Sequence, residues 1–226
     1  MDTQEKYLRQ LQNIFWENGF IPEDNQLERL ANFGNLLSKK NNNLNLISKK
    51  EINSIIENHI FISAYLSTFL PDRVNKFLDI GTGGGFPGIP LAIVRPQLQG
   101  VLVDSIKKKV DAINEFIYKL MLGNIIAENY RVESPEFLTK YSDTFDLIIS
   151  RATVSLIKLI DYALPLIKEK AYLASLKGGD LDDEIKIAET KYKPHIKKLT
   201  VFELSYKPNN TRNEKEKKLI LLELIK

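Results

Sequence analysis

Residues 77–88 read Phe-Leu-Asp-Ile-Gly-Thr-Gly-Gly-Gly-Phe-Pro-Gly: a short apolar run ends in a carboxylate and opens into a glycine loop. Glycines after a strand let backbone N–H groups approach a ligand that any β-carbon would hold off, as in sites for dinucleotides and for S-adenosylmethionine. Two registers fit. Gly83-x-Gly85-x-x-Gly88 has the dinucleotide spacing, whereas Asp79-x-Gly81-x-Gly83-x-Gly85 has the spacing of loops that bind S-adenosylmethionine. Asp79 decides between them. A pyrophosphate beside this carboxylate would be repelled by about 1 kcal/mol at 4 Å in water and about 4 at an effective dielectric near 20. S-adenosylmethionine carries no phosphate, and its ammonium and sulfonium are both cations, so it is the expected cofactor and an NAD-dependent oxidoreductase is disfavoured.

Outward from this loop the apolar period changes. Before it, Leu8, Leu11 and Phe15, then Leu27, Leu30, Phe33 and Leu37, then Ile52, Ile55, Ile56, His59 and Ile60 recur at helical steps, with breaks at 19–22 and at Asn41-Asn42-Asn43. From Lys76 on, strands at 76–80, 99–103, 125–128, 145–149 and 170–176 alternate with helices at 88–94, 106–122, 135–141 and 154–166, the second ended by Gly123. That alternation predicts right-handed βαβ units and a parallel sheet covered on both faces. A helix to about Tyr192 and two β-like runs, 196–204 and 217–225, around a polar turn complete the chain. They predict an antiparallel hairpin at the sheet edge. The expected fold is α/β, a class I S-adenosylmethionine-dependent methyltransferase: a Rossmann-like, mostly parallel seven-stranded sheet with an antiparallel C-terminal hairpin. Residues 1–70 form an N-terminal helical region packed on the core 71–226.

Composition narrows the chemistry. The 226 residues are 43% apolar and 27% charged, enough for one large domain with its own core. Zero cysteines exclude thiol nucleophiles, thiolate metal sites and cysteine-dependent C5 methylation of pyrimidines, and two histidines argue against a histidine metal centre; no metal is expected. No apolar run approaches a membrane span and no signal core begins the sequence, so a cytoplasmic address without membrane attachment is expected. Net charge is +3, yet 186–218 holds ten Lys/Arg against four acids, a basic stretch suited to a polyanion or simply to solvent.

Ligands in such sheets sit at the carboxyl ends of the strands. The first strand supplies Asp79, Gly81, Gly83 and Gly85, with Phe86 beside the donor. Asp104 ends the second, placed to accept ribose hydroxyls or to cap the next helix. The third leads to Asn129-Tyr130-Arg131-Val132-Glu133, facing the adenine edge. The fourth runs into Ser150-Arg151-Ala152, where the acceptor is met; no Asn/Asp-Pro-Pro-aromatic signature of amino-methylating enzymes stands there. Arg151 suits the donor carboxylate, a phosphate or a guanine edge. Lys177, before Gly178-Gly179, either lines the acceptor mouth or ends the strand. His59 shares an isoleucine stripe, where a core or capping role is the commoner one.

These blocks together resemble the bacterial small-subunit ribosomal RNA guanine-N7 methyltransferase family, also called glucose-inhibited division protein B. The resemblance runs through Asn43-Leu-Asn-Leu-Ile-Ser, His59, 78–93, Val103-Asp-Ser, Arg131-Val-Glu, Ile149-Ser-Arg-Ala and Leu176-Lys-Gly. It implies methyl transfer from S-adenosylmethionine to N7 of a guanine in the 530 loop of 16S rRNA, free or in the 30S subunit, by a monomer. It also implies a donor pocket that includes Gly81, Phe86, Val132, Glu133 and Arg151. Gly84 stands where proline is common in that family, and Phe86 where leucine is. N7 carries a lone pair and no proton, so no general base is required; the catalytic set is left open, with Arg151 and Lys177 as substrate-proximal candidates. Two rivals remain: a methyltransferase for another substrate, and a non-catalytic RNA-binding assembly factor.

Overall fold

A computed structural model describes residues 2–151 and 154–226. The sheet has seven strands in the order β3-β2-β1-β4-β5-β7-β6. These are β1 (Lys76–Ile80), β2 (Gln99–Asp104), β3 (Ile125–Asn129), β4 (Phe145–Arg151), β5 (Ile167–Gly178), β6 (Ile196–Glu203) and β7 (Lys217–Ile225). β1 pairs in parallel with β2 and β4, β2 with β3, and β4 with β5, while β7 runs antiparallel between β5 and β6. The chain order reverses at β1. The β1 carboxyl end is therefore where a ligand crevice opens.

Successive residues of β1 serve opposite faces, which is why its apolar run is nearly unbroken. Phe77 joins a cluster with Leu102, Ile149, Phe33 and Phe116; Leu78 and Ile80 join another with Ile148, Phe137 and Ile160. The first cluster is covered by α1 (Thr3–Glu17), α2 (Asp24–Asn41), α4 (Gly88–Val94) and α5 (Lys107–Lys119), the second by α6 (Pro135–Tyr141), α7 (Leu156–Ala163) and α8 (Asp182–Lys191). Among the described residues no helix is long and apolar enough to cross a membrane.

Two elements differ from the expectation. The helix after Ile106 does not run to Gly123. It ends at Lys119, and Met121 takes the left-handed turn at φ 51°, with the Leu122 N–H bonded to Ile117 O at 3.0 Å. Leu120 and Leu122 both bury, so the chain turns between them and leaves Met121 in solvent. The helical stretch around His59 is also irregular: a 3-10 segment (Lys49–Ser54), a π segment (Ile56–Phe61), α3 (Ile62–Tyr65) and a second 3-10 turn (Leu66–Phe69) follow one another. The widened turn buries Ile56, His59, Ile60 and Phe61, more positions than one α-helical stripe would take inward.

The N-terminal helices press directly on the glycine loop. Phe33 of α2 packs at 5.3 Å from Phe86 and 5.8 Å from Phe116, and Lys40 pairs with Glu115 of α5 at 2.5 Å. Buried Asn41, at the end of α2, accepts the N–H groups of Leu46 and Ile47 at 2.8 and 3.0 Å. That holds the 46–47 segment over Gly84, where a β-carbon would lie 3.3 Å from Leu46 O. The polar turn between β6 and β7 is likewise internally tied. Asn210 donates to Leu204 O and accepts from the Lys215 N–H, and Asn213 accepts from the Lys217 N–H.

Candidate active site

The loop after β1 is shaped by two carboxylates. Asp79 is fully buried, and its Oδ2 accepts the Gly88 N–H at 2.9 Å. Only glycine fits at position 88, because a β-carbon would stand 2.7 Å from that same oxygen and 2.9 Å from Leu102. Asp79 Oδ1 has no hydrogen-bond partner. Burial pushes this carboxyl up to about 7, against the pull of the nearby Thr82 hydroxyl and the Gly88 N–H, and Asp104 adds to the rise. The Thr82 hydroxyl itself makes no well-formed hydrogen bond. Asp104 spans the crevice wall: Oδ2 accepts the Gly83 N–H at 3.0 Å and Oδ1 the Ile106 N–H at 2.9 Å. Gly83 holds its turn at φ +59°, costing a residue with a β-carbon about 1–2 kcal/mol.

The carboxyl ends of β1, β2 and β3 enclose a cleft of about 330 Å³ lined by Gly81, Gly83, Asp104, Lys109, Val132 and Glu133, among others. Five of the residues singled out in the sequence thus meet in one cavity. The others are placed differently. Asp79 lies beneath the loop, where it accepts the Gly88 N–H. Phe86 is buried behind it, between Phe33 and His59 at 5.3 and 5.2 Å, and Gly85 turns there at φ +95°, its missing β-carbon 2.5 Å from Ile89. The chemistry of the cleft fits an adenosyl ligand: an acid, Asp104, at the end of β2, a second acid, Glu133, with Lys109 and Arg131 at the rim, and an apolar wall at Val132.

Arg151 and Lys177 line a second cavity of about 250 Å³ with Asn58, Ile62, Lys215 and Lys217, beyond the ends of β4, β5 and β7. Ala152, part of the same motif, lies outside the described residues. Arg151 is half-buried with its guanidinium 5.8 Å from the Phe86 ring, and Nη1 is buried without a partner. Burial holds its pKa down while Glu51 and Tyr206 hold it up. Lys177 is committed, donating to Glu184 at 2.8 Å and to Val154 O at 2.9 Å. Val154 also lines the first cleft, so this lysine ties the two cavities together. Lys217 donates to Asn58 and Tyr206, and burial, Lys215 and Arg151 together lower it to about 8.

His59 is not a satisfied core residue. It is 5% exposed, and its Nε2 makes no hydrogen bond, with Glu51 Oε2 at 3.5 Å. Glu51, Asn58, Lys215 and Lys217 carry no sequence signal of their own; the only pointers were the His59 stripe and the basic stretch.

Comparison with known proteins agrees with this geometry. Residues 26–213 match the profile of the family described as rRNA small subunit methyltransferase G, or GidB. Ribosomal RNA small subunit methyltransferase G of Chlorobium chlorochromatii is 42% identical over 179 residues, covering 78% of this chain and 74% of that protein. The protein of the same name from Clostridium novyi is 34% identical over 187 residues, covering 82% and 77%. Among solved structures, an S-adenosylmethionine-dependent O-methyltransferase from Thermotoga maritima superposes with a TM-score of 0.59 at 14% identity, covering 78% of this chain and 70% of that one. That likeness gives the class I methyltransferase fold. With the match spanning most of the chain and these relatives 34% and 42% identical, the chain belongs to the rRNA small subunit methyltransferase G family.

Proposed function

We propose that the cleft on β1–β3 holds the donor and the cavity at β4–β7 receives the base, in an enzyme that methylates N7 of a guanine in the 530 loop of 16S rRNA. Methyl transfer to that rRNA follows from membership of the family. The observation that supports the division of labour is the cleft itself, where Gly81, Gly83, Asp104, Val132 and Glu133 converge at the reversal of strand order.

S-adenosylmethionine, when bound, supplies an electrophilic methyl group on a sulfonium. The chain's own task is to orient and to dry the site. Gly81 and Gly83 offer a loop surface without β-carbons, Asp104 takes the ribose hydroxyls, and Val132 with Glu133 borders the adenine. Asp79 holds the loop from below, Gly85 and Phe86 hold it from behind, and Arg151, in the second cavity with its guanidinium near the Phe86 ring, binds the donor carboxylate or a phosphate. Guanine N7 attacks with a lone pair and releases no proton, so holding the two reactants in line accounts for the rate, and no side chain has to act as a base. Residues 1–70 serve as a helical cover on the methyltransferase core 71–226. The working unit is a cytoplasmic monomer, checked by sedimentation.

The test supplies purified protein and labelled S-adenosylmethionine to 30S subunits that lack the mark and maps N7-methylguanosine. A single site in the 530 loop is expected. Donor binding without any methylation of rRNA would overturn the reading in favour of a binding factor.

A further inference from the structure

A carboxylate and two buried nitrogens without hydrogen-bond partners lie around Arg151, which lines the acceptor cavity, and His59, next in sequence to its Asn58. Glu51, on the 3-10 segment Lys49–Ser54, stands 3.5 Å from His59 Nε2 and within electrostatic reach of Arg151 and Lys217. His59 and Arg151 both pack on the Phe86 ring, at 5.2 and 5.8 Å. His59 Nε2 and Arg151 Nη1 are buried without hydrogen-bond partners, whereas most buried polar atoms in native proteins are paired. The neighbouring acids are already engaged. Glu57 binds Lys215 and Asn209, and Glu184 binds Lys177 and the Leu156 N–H. Among the described residues Glu51 makes no side-chain hydrogen bond, and its side chain is 44% exposed.

We propose that Glu51 reads the Watson–Crick edge of the acceptor guanine, accepting its N1–H and 2-amino N–H, and that His59 is the positioning residue that fixes this carboxylate. The inference rests on the function proposed above. Guanine presents two adjacent donors on that edge, and an ionised carboxylate is a pure acceptor with two oxygens to meet them. Unpaired bases of RNA are read in this way, on edges that a duplex would hide. Charge points the same way. As the methyl moves, positive charge passes from sulfonium to the guanine ring, where Arg151, Lys177, Lys215 and Lys217 oppose it and Glu51 offsets it. Burial first, then Arg151 and Lys217, hold the His59 imidazolium at about 3, so the ring is neutral at physiological pH. A neutral ring facing a carboxylate keeps its proton on Nε2, which aims the donor at Glu51.

The test compares kcat/KM on 30S subunits reconstituted with 16S rRNA carrying guanosine or inosine at the target, inosine lacking only the 2-amino group. Calorimetry with S-adenosylmethionine runs in parallel. The wild-type chain prefers guanosine by about 10- to 100-fold, because inosine leaves an acceptor unpaired. Glu51→Ala and the isosteric Glu51→Gln methylate both RNAs slowly and at similar rates, with donor affinity within about twofold of wild type. His59→Gln loses part of the discrimination. A Glu51→Ala or Glu51→Gln enzyme that keeps the wild-type preference overturns the proposal, as does loss of donor binding in the well-folded Gln variant. A wild-type chain that binds donor and methylates neither RNA overturns the underlying function, and this inference falls with it.

Discussion

The two halves of the site are built on opposite principles. On the donor side, at the ends of β1–β3, backbone N–H groups are spoken for: Asp79 holds Gly88, Asp104 holds both Gly83 and Ile106, and the loop is braced by Phe86 against Phe33. On the acceptor side, at the ends of β4, β5 and β7, cations crowd together with donors left over; burial holds Arg151 below its ordinary value, and burial with repulsion from Lys215 and Arg151 does the same to Lys217. A preorganised pocket suits a small ligand of fixed shape. A basic cavity whose Arg151 and Lys217 have, among the described residues, no carboxylate hydrogen-bonded to them suits an anionic partner that arrives from outside.

Substitutions that separate the halves test this contrast. Gly83→Leu has the largest effect: the open space at its β-carbon lets the chain fold, but the strained turn and the side chain fill the cleft, and S-adenosylmethionine binding disappears from calorimetry while circular dichroism is unchanged. Measurable donor binding there would break the assignment of the cleft. Phe33→Ala costs about 3–5 kcal/mol of stability in denaturant melts, and donor affinity falls too because the loop loses its backing. Unchanged affinity would mean that the N-terminal cover and the donor loop are independent.

Asp79→Asn separates charge from shape. In the wild type, donor affinity rises with pH through about 7 as this carboxyl ionises beneath a cationic ligand. The Asn variant binds about tenfold more weakly at pH 8, an effect of about 1.4 kcal/mol, and its affinity is flat across that range. The stability sign is opposite. A carboxyl raised from 3.8 to about 7 keeps a proton in the folded chain that the unfolded chain releases, so its contribution to stability falls as pH rises through that window and is constant above it. The variant loses that slope. Smallest is Lys217→Met, which leaves donor affinity alone, weakens RNA binding severalfold and lowers the salt slope by about 0.7 if one single-strand phosphate contact is lost. Wild-type RNA affinity also declines as pH rises through about 8, where Lys217 loses its charge, and the Met variant lacks this step. A Lys217→Met chain that fails to bind donor would erase the distinction between the halves.

How much of this was legible in the sequence follows the same divide. The donor half is local: one strand, one loop and the next strand end carry Asp79, Gly81, Gly83 and Asp104 within 26 consecutive positions, so spacing alone exposes it. The sheet was equally readable, because short, nearly continuous apolar runs and helical stripes alternate cleanly from Lys76 onward. The acceptor half is assembled from Glu51, Asn58, His59, Arg151, Lys177, Lys215 and Lys217, which only tertiary folding brings near one another. Arg151 and Lys177 stand out by their place at strand ends, but Glu51, Asn58, Lys215 and Lys217 look like ordinary surface polar groups in one dimension, and His59 like a core histidine. Asn41 was hidden for a related reason: in a run of three asparagines it reads as a helix break, while its buried amide is what pins 46–47. The early end of α5 escaped because burial of Leu120 and Leu122 outweighed the intrinsic cost of a left-handed Met121, and helix-stop signals record only the latter.

The contact between Gly84 and the backbone of Leu46 makes positions 46 and 84 a single design variable. Any ring or branch introduced at 84 requires the Asn41-anchored segment to retreat, so a nucleotide-loop graft from a relative with proline there would need its own 41–47 stretch transplanted alongside it. Chimeras exchanging both pieces together should tolerate the swap, and chimeras exchanging either piece alone should melt earlier.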